Sequence, residues 1–304
     1  MKVEFFNRET GKTETEAIYG EGALRWVYET LLGKVALSLL IRRAFFSKIY
    51  GWLMSRPRSR AKVAPFIAQY GLDASEFADA PESYASFNDF FSRKLKPEAR
   101  PFADSAAVLP ADGRHLAYPC ADAGTMTIYA KGQAFDLKKL LGDDALAQRY
   151  HGGAILCSRL CPTDYHRFHF PVAGTPSAPR LINGELFSVN PIALSRRIAY
   201  LWENKREVIE IDSPIFGKVT QVLIGATNVG TIRTTFTPGK FYEKGDELGY
   251  FRFGGSFVAT LFEPGKIVLA EDLVKNSAEG RETYAKMGTA LGVPANKMQS
   301  ENPS

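Results

Sequence analysis

The chain has 304 residues, 45% of them hydrophobic, enough for one large domain or two small ones with a substantial core. A formal net charge of +5 favours an anionic partner, either nucleic acid or an anionic membrane face. Cys120, Cys157 and Cys161 are too few for a disulfide framework and fit a reducing compartment; the polar start MKVEFFNRETGKTETE is no secretory signal, and no run reaches the eighteen or so apolar residues of a membrane span.

Residues 1–20 read as a short extended pair or a loop, punctuated by Gly11 and Gly20. From Glu21 to about Leu53, Trp26, Val27, Leu31, Leu32, Val35, Leu39 and Leu40 recur at three- and four-residue spacing, which predicts helix. Bases dominate between Arg25 and Lys62, where Arg25, Lys34, Arg42, Arg43, Lys48, Arg56, Arg58, Arg60 and Lys62 stand against the single acid Glu29. Tyr28, Phe45, Phe46, Tyr50 and Trp52 are interleaved with them. Such a segment either lies in a membrane interface or packs on its own domain with a solvated basic face. It holds no recognised nucleic-acid motif.

Pro57 ends this run, and residues 61–70 read as another short helix. An acidic loop follows at 77–84. Ser86 is placed to cap a short helix through its hydroxyl, and the turn Pro97-Glu98-Ala99-Arg100-Pro101 closes it. The main organisational boundary falls near residue 102.

Beyond it, residues 154–160, 207–211, 218–224, 230–235 and 251–262 are strand-like, rich in Val, Ile, Phe and Thr, with turn residues between them. Helix is expected at 137–146, at 278–291 and as a turn around 191–199. Residues 244–249 read as a hairpin-like turn. The pattern predicts an α+β chain: a mainly helical, basic region over 1–102, then a β-rich core, barrel- or sandwich-like, over 103–304.

Gly254-Gly255-Ser256 interrupts a strand pattern, and taken alone reads as a bulge. The four histidines are His115, His151, His166 and His169. Two of them lie in Asp164-Tyr165-His166-Arg167-Phe168-His169-Phe170-Pro171, beside aromatics that predict partial burial and shifted pKa values. They suit general acid–base work, or are satisfied structural histidines. His115 and His151 read as surface residues. Cys157-x3-Cys161 with His166-x2-His169 offers zinc-type ligands, but the spacing is too compact for a zinc-finger pattern, and no metal is expected. Asp112, in Pro110-Ala111-Asp112-Gly113, makes a turn or orients a histidine in a Ser-His-Asp arrangement. Ser256 is followed by Phe257-Val258, so no Gly-x-Ser-x-Gly elbow is present.

Taken in order, these pieces resemble the phosphatidylserine decarboxylases over nearly the whole chain. The likeness is carried by Phe87–Leu95 (FNDFFSRKL), by Pro110-Ala111-Asp112-Gly113 and by Asp164-Tyr165-His166-Arg167-Phe168-His169. Gly184-Glu185-Leu186-Phe187-Ser188-Val189-Asn190, Gly225-Ala226-Thr227-Asn228-Val229-Gly230 and Phe253-Gly254-Gly255-Ser256 add to it. The segments from Phe5 to Gly11 and from Phe46 to Trp52 resemble the branch with a Gly-Gly-Ser site, often called type II. One departure stands out: the family usually has Thr after the cleavage serine, where this chain has Phe257.

The resemblance implies self-cleavage between Gly255 and Ser256 into 1–255 and 256–304, which stay together as a heterodimer. Ser256 would attack the Gly255 carbonyl, with His169 as base and Asp112 holding the imidazole. Ser256 would become a covalent pyruvoyl group, the only cofactor. Decarboxylation of phosphatidylserine to phosphatidylethanolamine would run through a Schiff base, with His166 as candidate proton donor; the roles of His166 and His169 are exchangeable in this reading. It also implies peripheral association of the basic helices with the cytoplasmic face of an anionic cell membrane, and no nucleic acid. Oligomeric state is left open, a homo-oligomer included. The rivals are a pyruvoyl enzyme for a soluble amino acid and a non-enzymatic β-barrel module.

Overall fold

The computed structural model describes residues 3–18, 20–37, 39, 42, 44–120, 135–227, 232–252 and 256–296. Leu40, Arg43, residues 228–230, Phe253, Gly254 and Gly255 lie outside them.

Strands β1 (Glu4–Asn7) and β2 (Lys12–Thr15) form the expected extended pair, an antiparallel hairpin. The helical stretch that follows comes in three pieces, α1 (Glu21–Glu29), α2 (Leu31–Ala36) and α3 (Ala44–Met54). Thr30 makes the first break. It leaves helical geometry, and its hydroxyl accepts a hydrogen bond from Gly33 N at 3.0 Å, which starts α2. A Cβ on Gly33 would lie 2.0 Å from Trp26 O, so the fold-back of α2 on α1 requires glycine.

After a 3₁₀ turn over Pro57–Lys62 come α4 (Val63–Tyr70) and α5 (Phe87–Phe91). Ser86 caps α5 as expected, its hydroxyl accepting from Asp89 N at 3.1 Å. Phe66, Phe77, Phe87, Phe90 and Phe91 bury together with Met54 and Val63 as a separate apolar cluster. Truncating Phe90, which is fully buried there, to Ala would cost about 3–5 kcal/mol.

The rest of the chain supplies β3 (Ala107–Val108), β4 (Gly113–Tyr118), α6 (Leu137–Leu141), α7 (Asp144–Tyr150), β5 (Ala154–Leu160), β6 (Arg167–His169), β7 (Thr175–Pro176) and β8 (Arg180–Ile182). Then follow α8 (Pro191–Leu194), α9 (Tyr200–Glu203), β9 (Arg206–Ser213), β10 (Gly217–Ile224), β11 (Ile232–Thr234), β12 (Glu247–Phe251) and β13 (Ser256–Phe262). The last elements are β14 (Ile267–Leu269), α10 (Glu271–Ala278), β15 (Glu282–Ala285) and β16 (Ala290–Pro294).

Ten strands form the main sheet in the order β2-β1-β15-β4-β5-β13-β10-β9-β7, with β8 also on β9. Its pairings are antiparallel except β1 with β15. Period-two alternation gives the sheet two apolar faces. Phe257, Ala259 and Leu261 of β13 join one cluster, under α6 to α9 and Tyr28 of α1; Val258 and Phe262 join the other. Two small sheets, β11-β12-β6 and β14-β16-β3, cover that second face. The β-rich core is therefore layered, one large sheet with α6 to α9 on one side and the two small sheets and α10 on the other.

The helix expected over 278–291 is not there. Helix α10 ends at Ala278, and the stretch beyond it forms β15 and the start of β16. Left-handed glycines at 280 and 288 (φ 72° and 85°) break any helix, and Glu282–Ala285 is drawn into the gap between β1 and β4. No helix among the described residues is long and apolar enough to cross a membrane.

Candidate active site

Ser256 opens β13, paired with Leu160 at the end of β5. It is completely buried, and its Oγ has no hydrogen-bond partner. An unpartnered buried hydroxyl costs about 1–3 kcal/mol, so it calls for an explanation. Its strand register puts it with Val258, Thr260 and Phe262 on the face that meets Phe168 and Phe251. Three more buried polar atoms on this side also lack partners: Thr260 Oγ1, Gln221 Oε1 and His169 Nδ1.

The segment between β5 and β6 brings in the histidines. His166 lies just outside the strand, its Nδ1 2.9 Å from Asp164 O and its ring 3.9 Å, centre to centre, from Phe91 of α5. Its carbonyl accepts from Phe251 N at 2.9 Å, at the end of the strand that leads to Ser256. His169 lies within β6. Its N–H donates to Pro110 O at 2.7 Å, its carbonyl accepts from Gln221 Nε2 at 3.4 Å, and Tyr165 stacks on its ring. Burial pushes the His169 pKa down to about 4, against the opposite pull of Glu247 and Asp112. The imidazole is therefore neutral at neutral pH, the state a proton acceptor needs.

Asp112 precedes β4 beside the end of β5. A Cβ on Gly113 would stand 2.6 Å from Arg159 O, so the turn needs glycine for close approach and not only for bending. Asp112 is 1% exposed as a residue. It accepts from Arg100 Nε at 2.8 Å and Nη2 at 2.5 Å, and from Met287 N at 2.8 Å. The sheet thus gathers Ser256, both histidines and Asp112 at one end and the face beside it. It does not join them into a relay: no hydrogen bond links Asp112 to His169.

His115, expected at the surface, is fully buried. Strand β4 runs between β15 and β5, which covers every residue of it. His115 Nδ1 lies 2.9 Å from Ser158 Oγ, and burial pushes its pKa down to about 3. His151 is exposed, as expected. Cys157 packs in the apolar cluster under the helices, and Cys161 Sγ bonds to Glu16 at 3.0 Å. Among the described residues no cluster of three or more His, Cys, Asp or Glu side chains is placed to hold a metal ion.

Sequence reasoning missed a buried ionic cluster beside the site. Arg159 reaches Glu282 at 2.5 Å and Glu16 at 2.6 Å, and Arg114 reaches Asp164 at 3.1 Å. Burial would raise the Glu16 carboxyl, but Arg159 and Arg114 hold it down to about 2. The partners are up to 143 residues apart in sequence, so no local pattern marks them.

A neutral buried imidazole can activate a hydroxyl nucleophile that comes within its reach. A model of the phosphatidylserine decarboxylase family matches residues 87–293. The chain belongs to the phosphatidylserine decarboxylase family. It is 46% identical over 291 residues to the phosphatidylserine decarboxylase proenzyme of Chlamydia trachomatis (serovar D), covering 95% of this chain and 96% of the relative. Identity is 45% over 291 residues to that of Chlamydia muridarum (95% and 96% covered) and 43% over 294 residues to that of Chlamydia caviae (96% and 98%).

In this phosphatidylserine decarboxylase family member, Phe257 lies on the face of the sheet away from Ser256. It is 1% exposed, opposite Ile224 and Arg159, and packs into the cluster on the other face of the sheet from Ser256. Its ring does not stand on the side of the Ser256 hydroxyl.

Proposed function

We propose that this carboxy-lyase decarboxylates phosphatidylserine to phosphatidylethanolamine after cutting itself between Gly255 and Ser256. Ser256 Oγ attacks the Gly255 carbonyl carbon and its proton passes to His169. The peptide bond becomes an ester. Elimination across the Ser256 Cα–Cβ bond releases the new carboxylate of 1–255, and hydrolysis of the remaining enamine releases ammonia. The single observation that carries this reading is the Ser256 hydroxyl, wholly buried and without a partner, on the face of the sheet that meets the His169 segment. Asp112 acts on His169 through its charge, since its oxygens are held by Arg100 and Met287.

The pyruvoyl group formed from Ser256 supplies a ketone that takes up the substrate amine and receives the electron pair as carbon dioxide leaves. Because Ser256 is fully buried, the group would sit sheltered from water. His166, fixed through Asp164 O and Phe91, returns the proton to the substrate carbon.

The N-terminal helices support a lipid substrate over a soluble amino acid. Most of the exposed large apolar side chains among the described residues fall between Trp26 and Leu53, with Leu31 80%, Leu32 73% and Phe45 73% exposed. Lys34, Lys48, Arg56, Arg58, Arg60 and Lys62 are exposed around them. This is the chemistry of a peripheral anchor on an anionic membrane face, each base contributing about 1 kcal/mol near the surface. The site faces the cytoplasmic leaflet in this reading.

Intact mass with a decarboxylation assay tests the proposal. Two fragments, the smaller starting at position 256 without a free amine, should accompany turnover of phosphatidylserine. Turnover by a single uncut chain would overturn it. Cosedimentation with phosphatidylserine vesicles tests the anchor, and failure to bind at low salt would return the soluble rival.

A further inference from the structure

Arg93 is a buried cation with too few partners. It is 5% exposed, yet among the described residues Nε and Nη1 have no hydrogen-bond partner, and Nη2 reaches only Thr163 O, at 3.4 Å. Its guanidinium lies 4.9 Å from the ring centres of both Phe77 and Phe90. Cation–π contact offsets part of the lost hydration. Burial still pushes its pKa down, with Tyr84, Asp112 and Asp164 pulling the other way. Buried charges are normally paired, and this one lacks its anion.

Arg93 lines a cavity of about 860 Å³ that lies between α5, the Ser55 turn after α3, and β12. Arg93, Lys94, Arg167 and Arg252 face it, against Asp79 and Asp89. Arg167 is already engaged by the Ser92 and Arg93 carbonyls and by Glu247, and Asp89 accepts from Ala85 N. The cavity shares its wall with the active site. Arg167 follows His166, Phe91 of the same α5 segment packs on His166, and Thr163 lies three residues before it.

We propose that Arg93 is the anion subsite of this enzyme and takes the phosphodiester of the substrate phospholipid; this rests on the function proposed above. The substrate carries a second anion, its carboxylate, but a guanidinium there would stabilise a ground-state charge that must disperse as carbon dioxide leaves. The phosphodiester keeps its charge throughout the reaction. It is three bonds from the reacting carbon, so a cation beside the His166 segment can hold it while that carbon meets the site. The glycerol and acyl chains then lead past Ser55 towards the exposed apolar residues of α3. Arginine suits the task because its planar donors match phosphate oxygens.

Labelling of the wild-type enzyme by phenylglyoxal, mapped by mass spectrometry, tests the site without substitution. Glycerophosphoethanolamine, which has the phosphodiester and no carboxylate, should protect Arg93; O-methylserine, which has the carboxylate and no phosphate, should not. Arg93→Gln should still self-cleave, and its KM for dispersed short-chain phosphatidylserine should rise about ten- to hundredfold while kcat stays within about threefold. Arg93→Lys should recover part of that loss. Protection by O-methylserine alone, or by neither compound, overturns the proposal. Inorganic phosphate protecting as well as glycerophosphoethanolamine at equal concentration would assign the site to free phosphate and overturn the lipid assignment. A wild-type chain that shows protection but no decarboxylation would sink the proposed function and leave the anion site standing.

Discussion

Arg100 Nη2 lies 2.5 Å from Asp112 Oδ2, so the carboxylate expected to orient His169 is already gripped by a guanidinium. Both side chains are buried, at 7% and 2% exposure. Removing one member of such a pair leaves the other uncompensated and costs about 3–5 kcal/mol. Arg100→Ala should therefore lose about that much stability in thermal or denaturant unfolding. Asp112→Asn keeps the shape but removes one of the two carboxylate charges, after that of Glu247, that raise His169's basicity. Its self-cleavage should slow by about tenfold or more without stopping, read as the fraction of intact chain over time. An unchanged rate would show that Asp112 serves the fold alone.

The two histidines have separate surroundings, and their variants should separate too. Ser256→Ala should stay in one piece and be inactive. His169→Ala should also stay uncut, because the proton of Ser256 has no acceptor. His166→Ala should cleave and then fail to turn over. Gel analysis with a decarboxylation assay reads all three. If His166→Ala blocks cleavage while His169→Ala permits it, the two roles are exchanged.

Acid should affect cleavage late. The His169 value of about 4 lies below its ordinary 6.5, so the imidazole remains a competent base well below neutrality. Cleavage of freshly synthesised chain should be flat from about pH 8 to about pH 6 and fall below about pH 5. Stability follows the same sign. The unfolded chain binds this proton from 6.5 downward and the fold only near 4, so stability is lost as pH falls between them. His115, held at about 3, adds to the loss. A cleavage profile with its midpoint near 6.5 would mean that His169 is not the buried base.

Phe257 carries the one departure from the family pattern, and its place in the sheet makes it testable. Phe257→Thr puts the usual hydroxyl back, but on the face away from Ser256. It should cost about 3–5 kcal/mol as a large-to-small change in a packed core, and Phe257→Leu less. Both variants should still cleave completely. A large change in cleavage rate at unchanged denaturation midpoint would place the side chain in the reaction instead.

Local pattern reveals much of this architecture, but only where local physics decides. Residues 154–160 alternate and are bounded by turn residues, and they form β5 with those limits. Ser86 is a cap in sequence and in space. Ser256, His169 and Asp112 are legible as residue types in motifs, and Asp112 lies close enough to His169 for its charge to act on the ring. What local pattern hides is pairing at a distance. Residues 282–285 become a strand because β1 and β4 leave a gap for them. His115 looks like a turn neighbour and is buried because β15 and β5 flank it. Arg100 carries no mark of its tie to Asp112, nor Arg93 of its isolation.

Cutting the chain at position 256 should not release the smaller piece. Its first strand, β13, lies between β5 and β10 in the middle of the main sheet, and β15 lies between β1 and β4. Val258, Leu261, Phe262, Leu273 and Leu291 are all fully buried against the larger piece or each other. Each such side chain contributes about 1.5–3 kcal/mol on burial. Glu282 adds a buried ion pair to Arg159, and Met287 N bonds to Asp112 across the same boundary. The broken bond removes only the covalent link at one strand end. The fragments should coelute in native size exclusion at any salt concentration and separate only in denaturant, together with the loss of folded structure. Recovery of folded 1–255 free of its partner under native conditions would contradict this, because β5 and β10 would then face each other across an empty strand position.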